Sequence, residues 1–200
     1  MPTHWPRGIV TRFPLILLFV QMQLAVSVAQ RPFTCEDQFF LTLSTTPPSL
    51  SEVLIDPQTN AVIFESINGD LGIEVNAAGY RSVDNLIYCI NPNTGALVRL
   101  DADGHTGGLK ILPLNINDAY FAGDVTPDGR YLLILGTRYF LNSPAIASNL
   151  VRIDLEDPNY GITVIPVNRP ALIFDIAFHP VTDELYGYDS DTQRLVRINP

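Results

Sequence analysis

Four side chains, Glu74, Asn76, Asp118 and Asp175, are of the types that hold a divalent metal or move a proton. Two acidic stretches, Asp101-Ala102-Asp103-Gly104 and Asp189-Ser190-Asp191, begin like calcium loops. Such a loop also needs a bidentate Glu at its twelfth position. That position is Leu112 counted from Asp101 and Pro200 counted from Asp189, so neither stretch completes the loop. Asp also bonds back to its own backbone in turns, which accounts for these residues without a metal. His105 and His179 lie in turn-like segments and do not pair as metal ligands. No Gly-x-Ser-x-Gly elbow or phosphate loop is present. The chain therefore offers no complete catalytic set and no cofactor motif. Cys35 and Cys89 could form one bridge in an oxidising compartment or serve as two small buried apolar residues; spacing alone leaves both open.

The elements that position these residues follow from an internal repeat. Val98-Arg99-Leu100-Asp101 recurs as Val151-Arg152-Ile153-Asp154 and Val196-Arg197-Ile198-Asn199, with a weaker copy at Val53-Leu54-Ile55-Asp56. The last residues of these copies are 45, 53 and 45 positions apart. Tyr80, Val125 and Phe178 each follow such an Asp by 24 residues, and counting 45 back from Tyr80 reaches Cys35. A further column holds Leu43, Tyr88, Leu133 and Tyr186. One insertion of eight residues, near Thr137 to Ser148, accounts for the spacing of 53.

Each unit reads as four short strands. In the clearest copy they are Asn76 to Tyr80, Leu86 to Ile90, Ala96 to Asp101 and Leu109 to Leu114. Gly, Asn, Asp and Pro separate them, as turns require. No segment keeps a 3.6-residue apolar period, so long helices are not expected. Four antiparallel strands every 45 residues match a β-propeller blade. One blade cannot cover both of its faces, so neighbouring units must stack. Ala77, Ala78, Gly79, Ala122, Gly123 and Ala177 put small residues in the first strand of the units, which suits the crowded centre of the ring. The Arg99 and Asp101 positions share a strand face and could lie exposed along it or pair between blades.

The 200 residues carry 12 Lys and Arg against 21 Asp and Glu, a net charge of −9. Arg7 and Arg12 precede an apolar stretch from Phe13 to Val20, continued at Leu24 to Val28, and Ser27-Val28-Ala29 resembles a cleavage site. Residues 1–29 are therefore expected to be a signal peptide and residues 30–200 the propeller domain. Cleavage removes both arginines and no acid, moving the charge to −11. Such a chain repels nucleic acid and is not expected to insert in a membrane once cleaved. It is expected to be secreted, extracellular or at the cell surface. Its units number about four, the last ending after its third strand, so further blades or domains are expected beyond Pro200.

The phrases Val83-Asp84-Asn85-Leu86-Ile87-Tyr88, Gly123-Asp124, Pro127-Asp128-Gly129 and Leu97-Val98-Arg99-Leu100-Asp101 resemble an uncharacterised family of bacterial secreted propeller domains, similar to YVTN and NHL propellers. The resemblance runs from about Phe33 to Pro200 and implies a fold and an attachment or binding role, with no catalytic residues to carry over. In this strand order the second-to-third and fourth-to-first connections emerge at one end. That end gathers Arg138, Tyr139, Phe140 and Asn142 of the insertion with Asp70, Asn117, Asp118 and Arg169. Arg and Tyr are common interface anchors. The expected role is a non-enzymatic binding or scaffold module for a protein or glycan. The alternative is a metal-dependent hydrolase or lactonase with carboxylates at the channel mouth.

Overall fold

The computed structural model describes residues 29–34, 39–43, 45–115, 117–138, 146–168 and 171–200, with backbone alone at 146–148. Among them the chain forms fourteen strands and no helix. The first sheet holds β1 (Phe39–Leu43), β2 (Ser49–Ile55) and β3 (Val62–Asn68). The second holds β4 (Asn76–Arg81), β5 (Leu86–Asn91), β6 (Ala96–Leu100) and β7 (Thr106–Ile111). The third holds β8 (Asp118–Val125), β9 (Tyr131–Arg138), β10 (Ile146–Asp154) and β11 (Ile162–Pro166). The fourth holds β12 (Ile173–Phe178), β13 (Leu185–Asp189) and β14 (Arg194–Ile198). Every pairing is antiparallel between neighbours in sequence, the up-and-down order of a propeller blade.

The repeat is visible in the hydrogen-bond register. Tyr88 faces Arg99, Leu133 faces Arg152 and Tyr186 faces Arg197 across the second and third strands of successive blades. Leu43 departs from this column, since it pairs with Ser49. Register follows the face that can be buried. Here the pairing that turns Phe40 and Leu50 toward the second sheet prevails over the repeat spacing.

Alternating side chains divide into two sets, one for each neighbouring blade. Leu86, Tyr88, Ile90 and Leu97 meet Leu132, Ile134, Val151 and Ile153 between the second and third sheets. Leu133, Leu135 and Leu150 meet Ile173, Ile176 and Leu185 between the third and fourth. Leu50 and Phe33 cover Ile87, Cys89, Val98 and Leu100 between the first and second.

Two details differ from the sequence expectation. β7 begins at Thr106, because Asp101 closes the preceding turn early: its Oδ1 accepts the amides of Asp103 and His105 at 2.9 and 2.8 Å. Gly107 and Gly108 are then strand residues and not turn residues. Asp101 is fully buried in that turn and makes no pair with Arg99.

The other copies of this Asp do the same work. Asp56 accepts the amides of Gln58 and Thr59, and Asp154 those of Glu156 and Asp157. At the second-to-third turn, Asn91 accepts from Asn93 and Thr94, and Asp189 from Asp191. The Thr59 hydroxyl and the Gln58 amide hold the Asp56 carboxyl below its ordinary range. The repeated acids are turn closers, so the calcium-like stretches are explained by backbone chemistry.

Candidate functional site

The third-sheet insertion lies between β9 and β10, and its base is built around Asp118. Asp118 opens β8 and is paired in register with Arg138, the last residue of β9. Arg138 Nε donates to Asp118 Oδ1 at 2.9 Å. Asn115 Nδ2 and Asn149 Nδ2 donate to Oδ2 at 3.2 and 3.1 Å. Asn115 lies before β8 and Asn149 on β10, so one buried carboxylate joins three segments. Gly136 makes this possible: a β-carbon there would lie 3.3 Å from Asp118 Oδ2 and 3.2 Å from the Tyr120 ring. The Tyr120 hydroxyl accepts the Asn115 amide at 3.1 Å and holds the approach to β8. Asp118 is buried while Arg138 keeps about a third of its side chain in solvent.

The remaining expected residues of this end separate into two groups. Asp70 closes its own turn by accepting the Gly72 amide at 2.9 Å, and its amide donates to Asn68. Asn117 donates its amide to Asn115 Oδ1 at 3.1 Å and is exposed. Tyr139, Phe140, Asn142 and Arg169 lie outside the described residues, as does Cys35. Cys89 is a free thiol, buried between the first and second sheets, and burial pushes its ionisation up. Sequence places Asn115 at this end, three residues before Asp118, but does not single out Gly136 and Asn149; only cross-strand register brings these two to Asp118.

A second concave region lies at the convergence of the inner strands. A cavity of about 280 Å³ is lined by Phe40, Asn76, Phe121, Phe174 and Asp175, among others. Asn76 and Asp175 thus share one space, as channel-mouth residues would. Glu74 and Asp118 do not join them: Glu74 Oε2 accepts Asn93 Nδ2 at 2.8 Å and Asp118 is held by Arg138. Asp175 Oδ1 accepts the Ile176 amide at 2.9 Å, and burial raises its carboxyl above the ordinary value. Asp124 of β8 accepts the Val125 amide and, across the blade boundary, the Phe178 amide, both at 2.8 Å. Burial, with a smaller contribution from the Asp175 charge, lifts Asp124 to about 6.

Asp101, Asp103 and His105 form the one cluster among the described residues whose ligand atoms approach one another closely enough for an ion. Arg31 already answers it. Its guanidinium pairs with Asp103 at 2.5 Å, and its amide donates to Asp101 Oδ2 at 3.1 Å. The cluster docks the segment before the first sheet onto the second.

The blade architecture defines a propeller-type repeat protein. Residues 40–200 match the model of a repeat of unknown function, DUF6923, and the chain belongs to that family. No curated protein sequence matches it. A structural-genomics protein of unknown function from Bacteroides thetaiotaomicron is similar at 12% identity and a TM-score of 0.54, over 87% of this chain and 43% of that one. A chain of a nidogen–laminin complex is similar at 16% identity and a TM-score of 0.50, over 77% of this chain and 53% of that one. A putative 6-phosphogluconolactonase from Bacteroides fragilis is similar at 16% identity and a TM-score of 0.45, over 86% of this chain and 57% of that one. The chain spans about half the length of these proteins. At such identities the likeness concerns the fold.

Proposed function

We propose that the chain is part of a secreted or surface-exposed propeller that binds a protein or glycan partner through its insertion end, without chemical turnover. The observation that carries this is the Asp118 clamp. A buried carboxylate whose oxygens accept from Arg138, Asn115 and Asn149 is committed to holding loops, leaving little capacity for a metal or a reacting group. It ties Arg138 and Asn149, on the two strands that flank residues 139–145, to one carboxylate and leaves about a third of the Arg138 side chain in solvent, as a rigid scaffold presents a recognition segment. The nidogen–laminin neighbour, found in a protein–protein complex, supports the same role. The test is a glycan array and a panel of purified extracellular matrix proteins, probed with the wild type and with a variant in which a short Gly-containing turn replaces 139–145. Binding lost in the variant, with its thermal unfolding retained, supports the reading. Equal binding by both proteins contradicts it.

A second reading rests on the inner cavity. Asn76 and Asp175 line it together, and burial raises the Asp175 carboxyl above its ordinary value. A hydrolase using these groups predicts lactone turnover that Asp175→Asn abolishes and Asp118→Asn leaves in place. A lactone panel separates the two readings.

A further inference from the structure

The inner strands of the second, third and fourth sheets each break their pairing at the same level. In β4 the register shifts between Asn76 and Gly79, in β8 between Tyr120 and Ala122, and in β12 between Ile173 and Ile176. The residues left out of the ladders are Ala77 and Ala78, Phe121, and Phe174 and Asp175. All but Ala77 line the cavity of about 280 Å³ where these strands converge. A bulge re-aims the residue it frees, and bulges gather next to functional sites. Here three neighbouring strands bulge toward one space. Ala77 holds φ at +49°, a conformation that residues with a side chain rarely adopt. Asn76 Oδ1 accepts the Ala77 amide at 2.9 Å and fixes that bend.

The lining has one chemical character. Phe40, Phe121 and Phe174 bring aromatic rings from three different sheets. Among the described residues, Asp175 is the one charged group of the lining, and no Lys, Arg or His borders the cavity. Asp175 Oδ1 accepts the Ile176 amide, while Oδ2 accepts nothing among the described residues. Burial raises this carboxyl, and its charge adds to the rise at Asp124 of β8. A cation bound here relieves both acids, whereas an anion meets their charge. A calcium or magnesium ion needs about six oxygen ligands. One carboxylate oxygen among phenyl rings does not supply them. An ammonium that carries alkyl groups fits instead: its charge faces the carboxylate, and its alkyl groups lie on ring faces, which attract cations.

We propose that the inner cavity binds a small organic ammonium cation, with Asp175 as its counter-ion and Phe40, Phe121 and Phe174 as its aromatic wall. The volume is near the lower end for ligand pockets, so the bound part is a compact headgroup. The site is separate from the insertion end and involves no turnover, so it depends on neither reading above.

The test compares choline with 3,3-dimethylbutan-1-ol, a neutral carbon analogue of the same shape, by calorimetry and ligand-observed NMR on the full chain. Choline should bind saturably and at least about tenfold more tightly than the analogue. Asp175→Asn keeps an oxygen for the Ile176 amide, so the fold should be retained, as thermal unfolding will show. It should weaken choline binding by about tenfold or more. Phe174→Ala should weaken it about three- to tenfold. Glu65→Gln, which removes a negative charge from the exposed outer strand β3, should bind choline as the wild type does. No saturable choline binding overturns the proposal. Equal affinity for choline and the analogue overturns it as well, since the cavity is then only apolar. So does unchanged choline affinity in folded Asp175→Asn, or a site that takes calcium through Asp175 and leaves choline unbound.

Discussion

The backbone of Val125 occupies the space into which a β-carbon on Gly79 would project, and the Asp124 Cα lies 2.8 Å from that point. Gly123 stands in the same relation to the Ala77 backbone, whose Cα would be 3.0 Å away. Inner strands β4 and β8 therefore meet main chain to main chain. The Gly requirement here is one of close approach.

Gly79→Ala and Gly123→Ala should each destabilise the fold by about 1–3 kcal/mol, the range for overpacked interiors. Gly108→Ala is the control, because nothing lies within 4 Å of its β-carbon. It should stay within about 0.5 kcal/mol of wild type. Urea unfolding of the three variants checks the contrast; equal stability of Gly79→Ala and Gly108→Ala would contradict the close approach.

The Asp118 clamp makes a coupling prediction. Arg138→Ala leaves a buried carboxylate with two amide donors, at a cost of about 1–3 kcal/mol. In an Asp118→Asn background the same substitution should cost at least about 1 kcal/mol less, because no buried charge remains to be stranded. A double-mutant cycle measured by denaturant unfolding reads the difference. Additive costs would show that the pair is not coupled.

Asp124 sets a pH signature. Its folded carboxyl titrates at about 6 and an unfolded one at about 3.9. The protonated form thus favours the folded state: the contribution is fully present below about pH 4 and is lost as pH rises through 6. The size is roughly 3 kcal/mol at most. Asp124→Asn should be less stable at all pH values, because one oxygen cannot serve both the Val125 and Phe178 amides. The stability difference between wild type and Asp124→Asn should shrink between pH 4 and pH 7. Unfolding midpoints at those two pH values check this, and a constant difference contradicts it.

Cys89 should resist thiol reagents in the native protein. It is buried, its Sγ–H is 3.6 Å from the Val98 carbonyl, and burial disfavours the thiolate. Labelling should appear together with global unfolding. Fast labelling under native conditions would contradict the burial.

The architecture was legible because the repeat writes itself four times. Arg99, Arg152 and Arg197 carry the third strand of their blades, and their partners Tyr88, Leu133 and Tyr186 carry the second. Small residues such as Gly79 and Gly123 identified the inner strands, and the structure gives the steric reason. Leu43 misled, because spacing cannot see which register buries Phe40 and Leu50. The expected exposed face shared by Arg99 and Asp101 failed for a local reason: Asp101 turns inward and bonds the amides two and four residues ahead. At the candidate site, the chain order places Asp118 and Arg138 at one end, but not in contact. Their bond, and the roles of Gly136 and Asn149, arise from antiparallel pairing between residues about 20 to 30 apart, which no short motif encodes, whereas Asn115 reaches Asp118 locally, three residues ahead.

The proposed binding surface is the insertion end, organised by Asp118 and Arg138. Its most direct measurement is the affinity of an array-identified protein or glycan partner for the wild type and for Arg138→Ala, by titration calorimetry at a temperature where both are folded. A loss of tenfold or more in Arg138→Ala, with no turnover of the bound partner, is the predicted result. Unchanged affinity in Arg138→Ala and in the protein lacking 139–145 would contradict it.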